Sequence, residues 1–261
     1  VNINKVLNEA DKIKINNLNK KIFEMWEQYK PTTASDDIYP LPSFFRDNFE
    51  TNQLLLIGMN PSLNDEYVED DNAKKKKGFY HYCTQYGSNW NLTKLTELQE
   101  YENRIGQYHS YEKGINRFKD EININTLKIH AIDLFFFRKT NQSDFLKQHI
   151  LDKSGNLTLL AIEMFNITLK AIIIYKPKII VIANANAFKL FKEYIMSLGD
   201  PYYITSNLDE LHGCHFVTLD QHQGGIPVLG SSMLSGQRAL DLGSKERMAW
   251  QIRRIYKNLV L

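Results

Sequence analysis

Two polar segments in this chain interrupt apolar runs in a way that suits chemistry. The first, Gly58-Met59-Asn60-Pro61-Ser62, closes the run Leu54-Leu55-Leu56-Ile57. A run that short reads as a buried strand, and glycine followed by Asn-Pro turns the chain out of extended structure where the strand ends. In an open α/β sheet the crevice for a ligand lies beyond the carboxyl ends of the strands. Asn60, held by Pro61, is therefore placed to act on something there. The second segment, Gly230-Ser231-Ser232-Met233-Leu234-Ser235-Gly236-Gln237-Arg238, follows another apolar stretch near the C-terminus.

These segments need a scaffold, and 261 residues suffice for one substantial core. Strands are expected at 53–58, 128–137, 178–183 and 214–219. Helices are expected over 3–30 (Ile15, Leu18, Ile22, Phe23, Trp26, ended by Pro31), 90–102, 157–175, 187–198 and 243–259. Strands alternating with helices imply a parallel sheet covered on both faces. The expected fold is α/β: three α/β/α layers around a mostly parallel four-stranded sheet. It forms a single domain over 1–261, with 1–50 an added N-terminal helix and linker. Residues 63–78 read as a long polar loop.

Composition bounds the partners. Net charge is only +2, so any nucleic-acid surface must be a local patch. Lys245, Arg247, Arg253 and Arg254 are candidates for holding phosphates, and Lys74 to Lys77 read as a solvated loop. Cys83 and Cys214 are too few for a disulfide framework. His212, Cys214 and His215, with His81 and Cys83, offer soft ligands but lack a C-x-x-C pair, so no metal is expected. The longest apolar stretch is cut by Lys176-Pro177-Lys178, and no membrane span or signal-peptide core is present. A cytoplasmic monomer is expected.

In element order over roughly 50–255, and in three short segments, the chain resembles the uracil-DNA glycosylase superfamily. Gly58-Met59-Asn60-Pro61-Ser62 is similar to its first motif, in the Asn form of the mismatch-specific and single-strand-selective branches. Ser232-Met233-Leu234-Ser235 with Arg238 resembles the second motif, commonly His-Pro-Ser-x-Leu-Ser followed by Arg, whose loop enters the minor groove. Ile132-Asp133-Leu134 through Arg138 matches the middle strand, where the superfamily usually places a base-reading Asn. Two departures stand out: Gly230 falls where the motif His would sit, and Asp133 where Asn reads uracil. His222 is close enough in sequence to stand in for that histidine.

The resemblance implies a monofunctional DNA glycosylase that leaves an abasic site in double- or single-stranded DNA and uses no cofactor. A flipped-out base must be read on its edge and stacked on an aromatic face, and the cleavage needs a positioned water. Asn60 and Ser232 are the catalytic candidates; an Asn carboxamide can hold water but cannot take its proton. Gly58, Met59, Asp133, Phe79, Tyr80 and Tyr82 are the base-binding candidates. Ser62, Ser231, Met233, Leu234, Ser235, Arg238 and Lys245 are those for DNA, with Met233 or Leu234 a wedge in the vacated stack. Ionised Asp133 is acceptor-only and suits the amino group of a cytosine derivative better than uracil; the other reading is a buried aspartate paired to Arg138 or a backbone amide. Superfamily relatives acting on phage base modifications extend the expected role from DNA repair to antiphage defence. The rival readings are a catalytically silent nucleic-acid-binding module on the same scaffold, and a small-nucleotide enzyme, which lacks a G-x-G-x-x-G or Walker pattern.

Overall fold

The structure, a computed structural model, describes residues 6–29, 41–50, 53–61, 68–69, 75–76, 91–105, 110–139, 141–219, 225–234 and 239–260. In chain order the elements are α1 (Glu9–Tyr29), β1 (Leu54–Gly58), β2 (Val68–Glu69), β3 (Lys75–Lys76), α2 (Leu92–Ile105), α3 (Ser110–Ile122) and β4 (Ile129–Asp133). Then come α4 (Gln142–Phe145) with a π-helical turn (Leu146–Ile150), α5 (Leu159–Tyr175), β5 (Ile179–Ile182) and α6 (Ala185–Leu198). The last are β6 (Tyr203–Ile204), β7 (His215–Thr218), β8 (Ile226–Gly230) and α7 (Leu242–Val260).

The fold is mixed α/β around a six-stranded, mostly parallel sheet in the order β4-β1-β5-β8-β7-β6. The expectation of four strands is corrected. The neighbours β4, β1, β5 and β8 run parallel, while 214–219 forms β7, antiparallel to β8, with β6 beyond it. β8 is the fourth parallel strand. Within the expected polar loop, 68–69 and 75–76 pair as a short antiparallel ladder.

Alternation along the strands feeds two cores. Leu55, Ile57, Ile180, Ile182 and Val228 face one with residues of α1, α5 and α6; Leu54, Leu56, Ile179, Val181 and Leu229 face another with α3 and α7. Each fully buried Leu or Ile is worth about 1.5–3 kcal/mol, so both faces are committed to packing. α5 begins where Thr158 accepts a hydrogen bond from the Ala161 N–H, and it stops at Lys176, left-handed at φ 50°, because the next residue is Pro177.

The N-terminal helix is more than an appendage. Ile15, Leu18, Ile22, Met25 and Trp26 of α1 lie in the first core. Asn19 ties α1 to the following segment, donating to the Phe45 carbonyl at 2.9 Å and accepting from the Phe45 N–H at 2.8 Å. That segment then pairs with the sheet side: Ser43 N–H donates to Phe136 O and Arg138 N–H to Leu41 O.

At the amino end of the strands, His130 of β4 lines a small cavity with Phe49, Gln53, Leu54 and Tyr175. Its Nε2 accepts from the Glu50 N–H at 3.3 Å, and Lys128 pairs with the Glu50 carboxylate alongside. Burial chiefly, opposed by Glu50 and helped by Arg46 and Lys128, lowers the His130 pKa to about 4. The folded value lies below the unfolded one, so the unfolded chain binds more protons. Stability therefore falls as pH drops below about 6.5 and levels off near 4. At about 1.4 kcal/mol per pH unit the loss approaches 3 kcal/mol. His130→Gln keeps an acceptor without the titration. Urea unfolding at pH 7 and pH 4 should show a loss smaller by about 2–3 kcal/mol in this variant; equal losses in the two proteins would refute the assignment.

Candidate functional site

The parallel strands end in one row. Gly58 is paired with Asp133, Ile57 with Ile182, and Ile182 with Gly230, so the residues that follow emerge on a common edge. Asn60 leaves β1 there, 7 % exposed. Its Nδ2 donates to the carbonyls of Lys139 (2.8 Å), Pro61 (3.1 Å) and Phe137 (3.4 Å). Turning the amide over would set its oxygen against those carbonyls, which fixes its orientation. Oδ1 is left buried with no hydrogen-bond partner among the described residues. A buried acceptor without a donor is costly, and it is the atom that would hold a water.

The cradle of Asn60 comes from the segment expected to finish a long strand at 137. β4 stops at Asp133, and residues 134–139 run on beside the turn, with Leu134 N–H donating to Gly58 O, Phe135 N–H to Met59 O and Lys139 N–H to Pro61 O. Leu134, Phe135, Phe136, Phe137 and Arg138 are all buried, Arg138 at 2 % exposure. Thr168 of α5 donates to Leu134 O at 3.0 Å and holds this segment from behind. The same polar edge carries Asn184, whose Oδ1 accepts from the Ala187 N–H to cap α6 while Nδ2 donates to Gln142 Oε1. Its atoms are committed, so its role is structural.

Gly230 has a steric explanation. A Cβ at this position would lie 2.5 Å from Phe188 Cδ1 and 2.6 Å from Cγ, closer than any real contact. Phe188, on the first turns of α6, lays its ring on the glycine. Beside it, at 5.6 Å between ring centroids, is His215 of β7. His215 Nδ1 is 2.7 Å from Thr205 O, which assigns its proton to Nδ1 and leaves Nε2 an acceptor. Phe188 was not a candidate in the sequence, and His215 only as a soft ligand; an aromatic opposite a strand-ending glycine, 42 positions away, leaves no local pattern.

The remaining candidates separate. Asp133 is half-buried, and alternation in β4 sends its side chain to the second core's face, whereas position 230 faces the first. The two departures from the motifs thus do not converge. Beyond β8, Ser231 N–H donates to Ile182 O, and Leu240 N–H to Met233 O. Ser232 is exposed, and Met233 half-buried. Leu234 does not fit the expected wedge: at 2 % exposure it is buried in the second core with Met248 and Ile252. Arg253 is also reassigned, since its Nη1 donates to Glu121 O at 2.6 Å and caps α3. Lys245 is half-buried on the first turn of α7. Met59 is buried in the first core. Ser62, Phe79, Tyr80, Tyr82, Ser235 and Arg238, with His81, Cys83 and His222, lie outside the described residues, as do the side chains of Lys74 to Lys77.

In the soft-ligand cluster, Asp209 Oδ1 accepts from both the backbone N–H and Nδ1 of His212, at 2.8 and 2.7 Å, and these bonds lower its pKa. Burial pushes the Cys214 thiol up to about 11, so it is a core residue and not a nucleophile. Among the described residues no three such side chains group to hold a metal, and no helix is long and apolar enough to cross a membrane.

No protein-family model matches this chain, and no curated protein matches it.

The Phe188–Gly230 contact makes a packing prediction. Gly230→Ala should destabilise the protein by about 1–3 kcal/mol through overpacking. Combining it with Phe188→Leu should recover part of that, with a coupling of at least about 0.5 kcal/mol in a double-mutant cycle of urea unfolding. Additive effects would mean that the ring does not occupy the space above Gly230.

Proposed function

We propose that the chain is a monofunctional DNA glycosylase, hydrolysing the bond between deoxyribose and a flipped-out uracil or modified pyrimidine to leave an abasic site. The observation that carries the reading is Asn60: buried at the carboxyl end of a parallel strand, its NH2 committed to three carbonyls and its Oδ1 buried without a hydrogen-bond partner among the described residues. A water donating to Oδ1 is oriented with a lone pair free to attack the anomeric carbon, which is what an oxocarbenium-like transition state requires. The parallel strands with a core on each face fit the three-layer scaffold that the motif resemblance implies, and a cytoplasmic role in repair or antiphage defence follows from the same reading.

Gly230 shapes the substrate. With Phe188 over it, position 230 offers no donor to a base oxygen, which favours a base other than uracil. The same observation favours the rival, a silent nucleic-acid-binding module on this scaffold.

Oligonucleotides carrying uracil, hypoxanthine or modified cytosines, treated with the protein and then with alkali, separate the two. Breaks at one base establish the glycosylase and name its substrate; binding without breaks on every substrate establishes the module. Asn60→Ala should lower single-turnover excision by at least about a hundredfold, roughly 3 kcal/mol, with DNA affinity little changed. Excision at the wild-type rate would remove Asn60 from the mechanism.

Asp133 is tested separately. A carboxylate facing a pyrimidine edge accepts from the N4 amino group and repels the uracil O4, a discrimination of about 1–3 kcal/mol. Asp133→Asn should shift preference towards uracil by about ten- to a hundredfold in relative excision rate. An unchanged preference would assign Asp133 to the second face, away from the base.

A further inference from the structure

The whole chain has a net charge of +2, yet α7 carries Lys245, Arg247, Arg253, Arg254 and Lys257 against Glu246 alone. The helix is thus net basic and the remainder of the molecule net acidic. Arg253 is spent on the α3 carbonyls. The others are not: among the described residues none of Lys245, Arg247, Arg254 and Lys257 forms a salt bridge to a carboxylate, although Arg247 lies near the capping Asp241. Spacings of three and four place Arg247, Trp250, Arg254 and Lys257 in one stripe along the helix. At its centre Trp250 is 51 % exposed, the Arg254 guanidinium 5.4 Å from its ring.

Apart from the Arg254–Trp250 contact, this stripe carries costs in the free protein. Arg254 and Lys257, three apart on the helix, repel, and a large ring left half in water forgoes burial energy. Both costs turn into binding energy if an anion lies along the cations and a flat apolar group covers the indole. A nucleotide strand with unpaired bases brings both at once: phosphates for Arg247, Arg254 and Lys257, and a base face for Trp250. A duplex supplies the phosphates but keeps its base faces stacked inside. An anionic membrane is disfavoured because the apolar side of α7, Met248, Ala249, Ile252 and Ile255, is already buried in the second core and cannot enter a bilayer. In chain order α7 is the next element after β8, whose carboxyl end carries Gly230.

We infer that the exposed face of α7 binds single-stranded nucleic acid, one unpaired base stacking on Trp250 and the flanking phosphates held by Arg247, Arg254 and Lys257. The inference gives the substrate class, single strand over duplex, for the proposed site at the strand ends, and rests on that reading only for what happens to the base there.

Fluorescence anisotropy with labelled oligo(dT) and with a duplex of equal length tests it on the full chain without any excision. The single strand should bind more tightly than the duplex. Trp250→Ala should weaken single-strand binding at least about fivefold and leave duplex binding unchanged, while Trp250→Phe, which keeps an aromatic face, stays near wild type. Arg247→Ala with Arg254→Ala should flatten the slope of log affinity against log salt by about one unit or more. Quenching of the wild-type tryptophan signal by oligo(dT), absent in Trp250→Phe, gives a readout independent of the alanine variant's folding. Oligo(dT) affinity unaffected by Trp250→Ala, duplex bound as tightly as single strand, or stronger binding to phosphatidylserine vesicles than to oligo(dT) would each overturn the inference. Trp250-dependent binding with no excision of any base sinks the glycosylase and leaves this surface standing; excision with Trp250-independent binding does the reverse.

Discussion

Burial of both faces of the parallel strands confines polar chemistry to their ends. Every residue of β1 and β5 is buried, and alternate side chains enter separate cores, so no position within these strands can carry a reactive group without an unpaired polar atom. The polar residues stand just outside them. At the amino ends they are saturated: Gln53 accepts from the Lys128 N–H, His130 from the Glu50 N–H, and the Tyr175 hydroxyl donates to Arg46 O. At the carboxyl ends the buried acceptor Asn60 Oδ1 has no partner among the described residues. This difference between the two ends is what the proposed site rests on.

Much of this was legible in the sequence because it is local. Leu54 to Ile57 and Ile179 to Ile182 are apolar runs with abrupt polar stops, and both are strands. What escaped has physical reasons. β8 contains Pro227, which argues against a central strand, yet the strand is formed, its proline placed opposite Phe216 of β7. β6 has only Tyr203 and Ile204 to announce it. α3 carries a stripe at helical spacing, Ile115, Phe118 and Ile122, buried in the second core with residues of α7. The expected strand 128–137 was cut at 133 because 134–139 are drawn into backbone contacts with the turn at 58–61, a partnership between distant segments that no window of sequence contains.

The site shows the same division. Asn60 could be placed from its neighbours alone. Gly230 could be identified as a departure from a motif, but its cause could not, since the ring that fills its space belongs to α6. A missing side chain is easily taken for a lost function. Here the space is occupied by Phe188, with His215 beside it, so the glycine is what the packing of that ring requires.

Leu234 and Trp250 explain each other's places. Leu234, just beyond β8, is buried in the second core together with Met248 and Ile252 of α7. That anchors this segment to one side of α7 and leaves the helix's other side, with Trp250 and its arginines, directed outward. One helix thus closes a core with one face and on the other carries cations that form no salt bridge among the described residues, so the packing that stabilises the scaffold also fixes the outward direction of the inferred binding face.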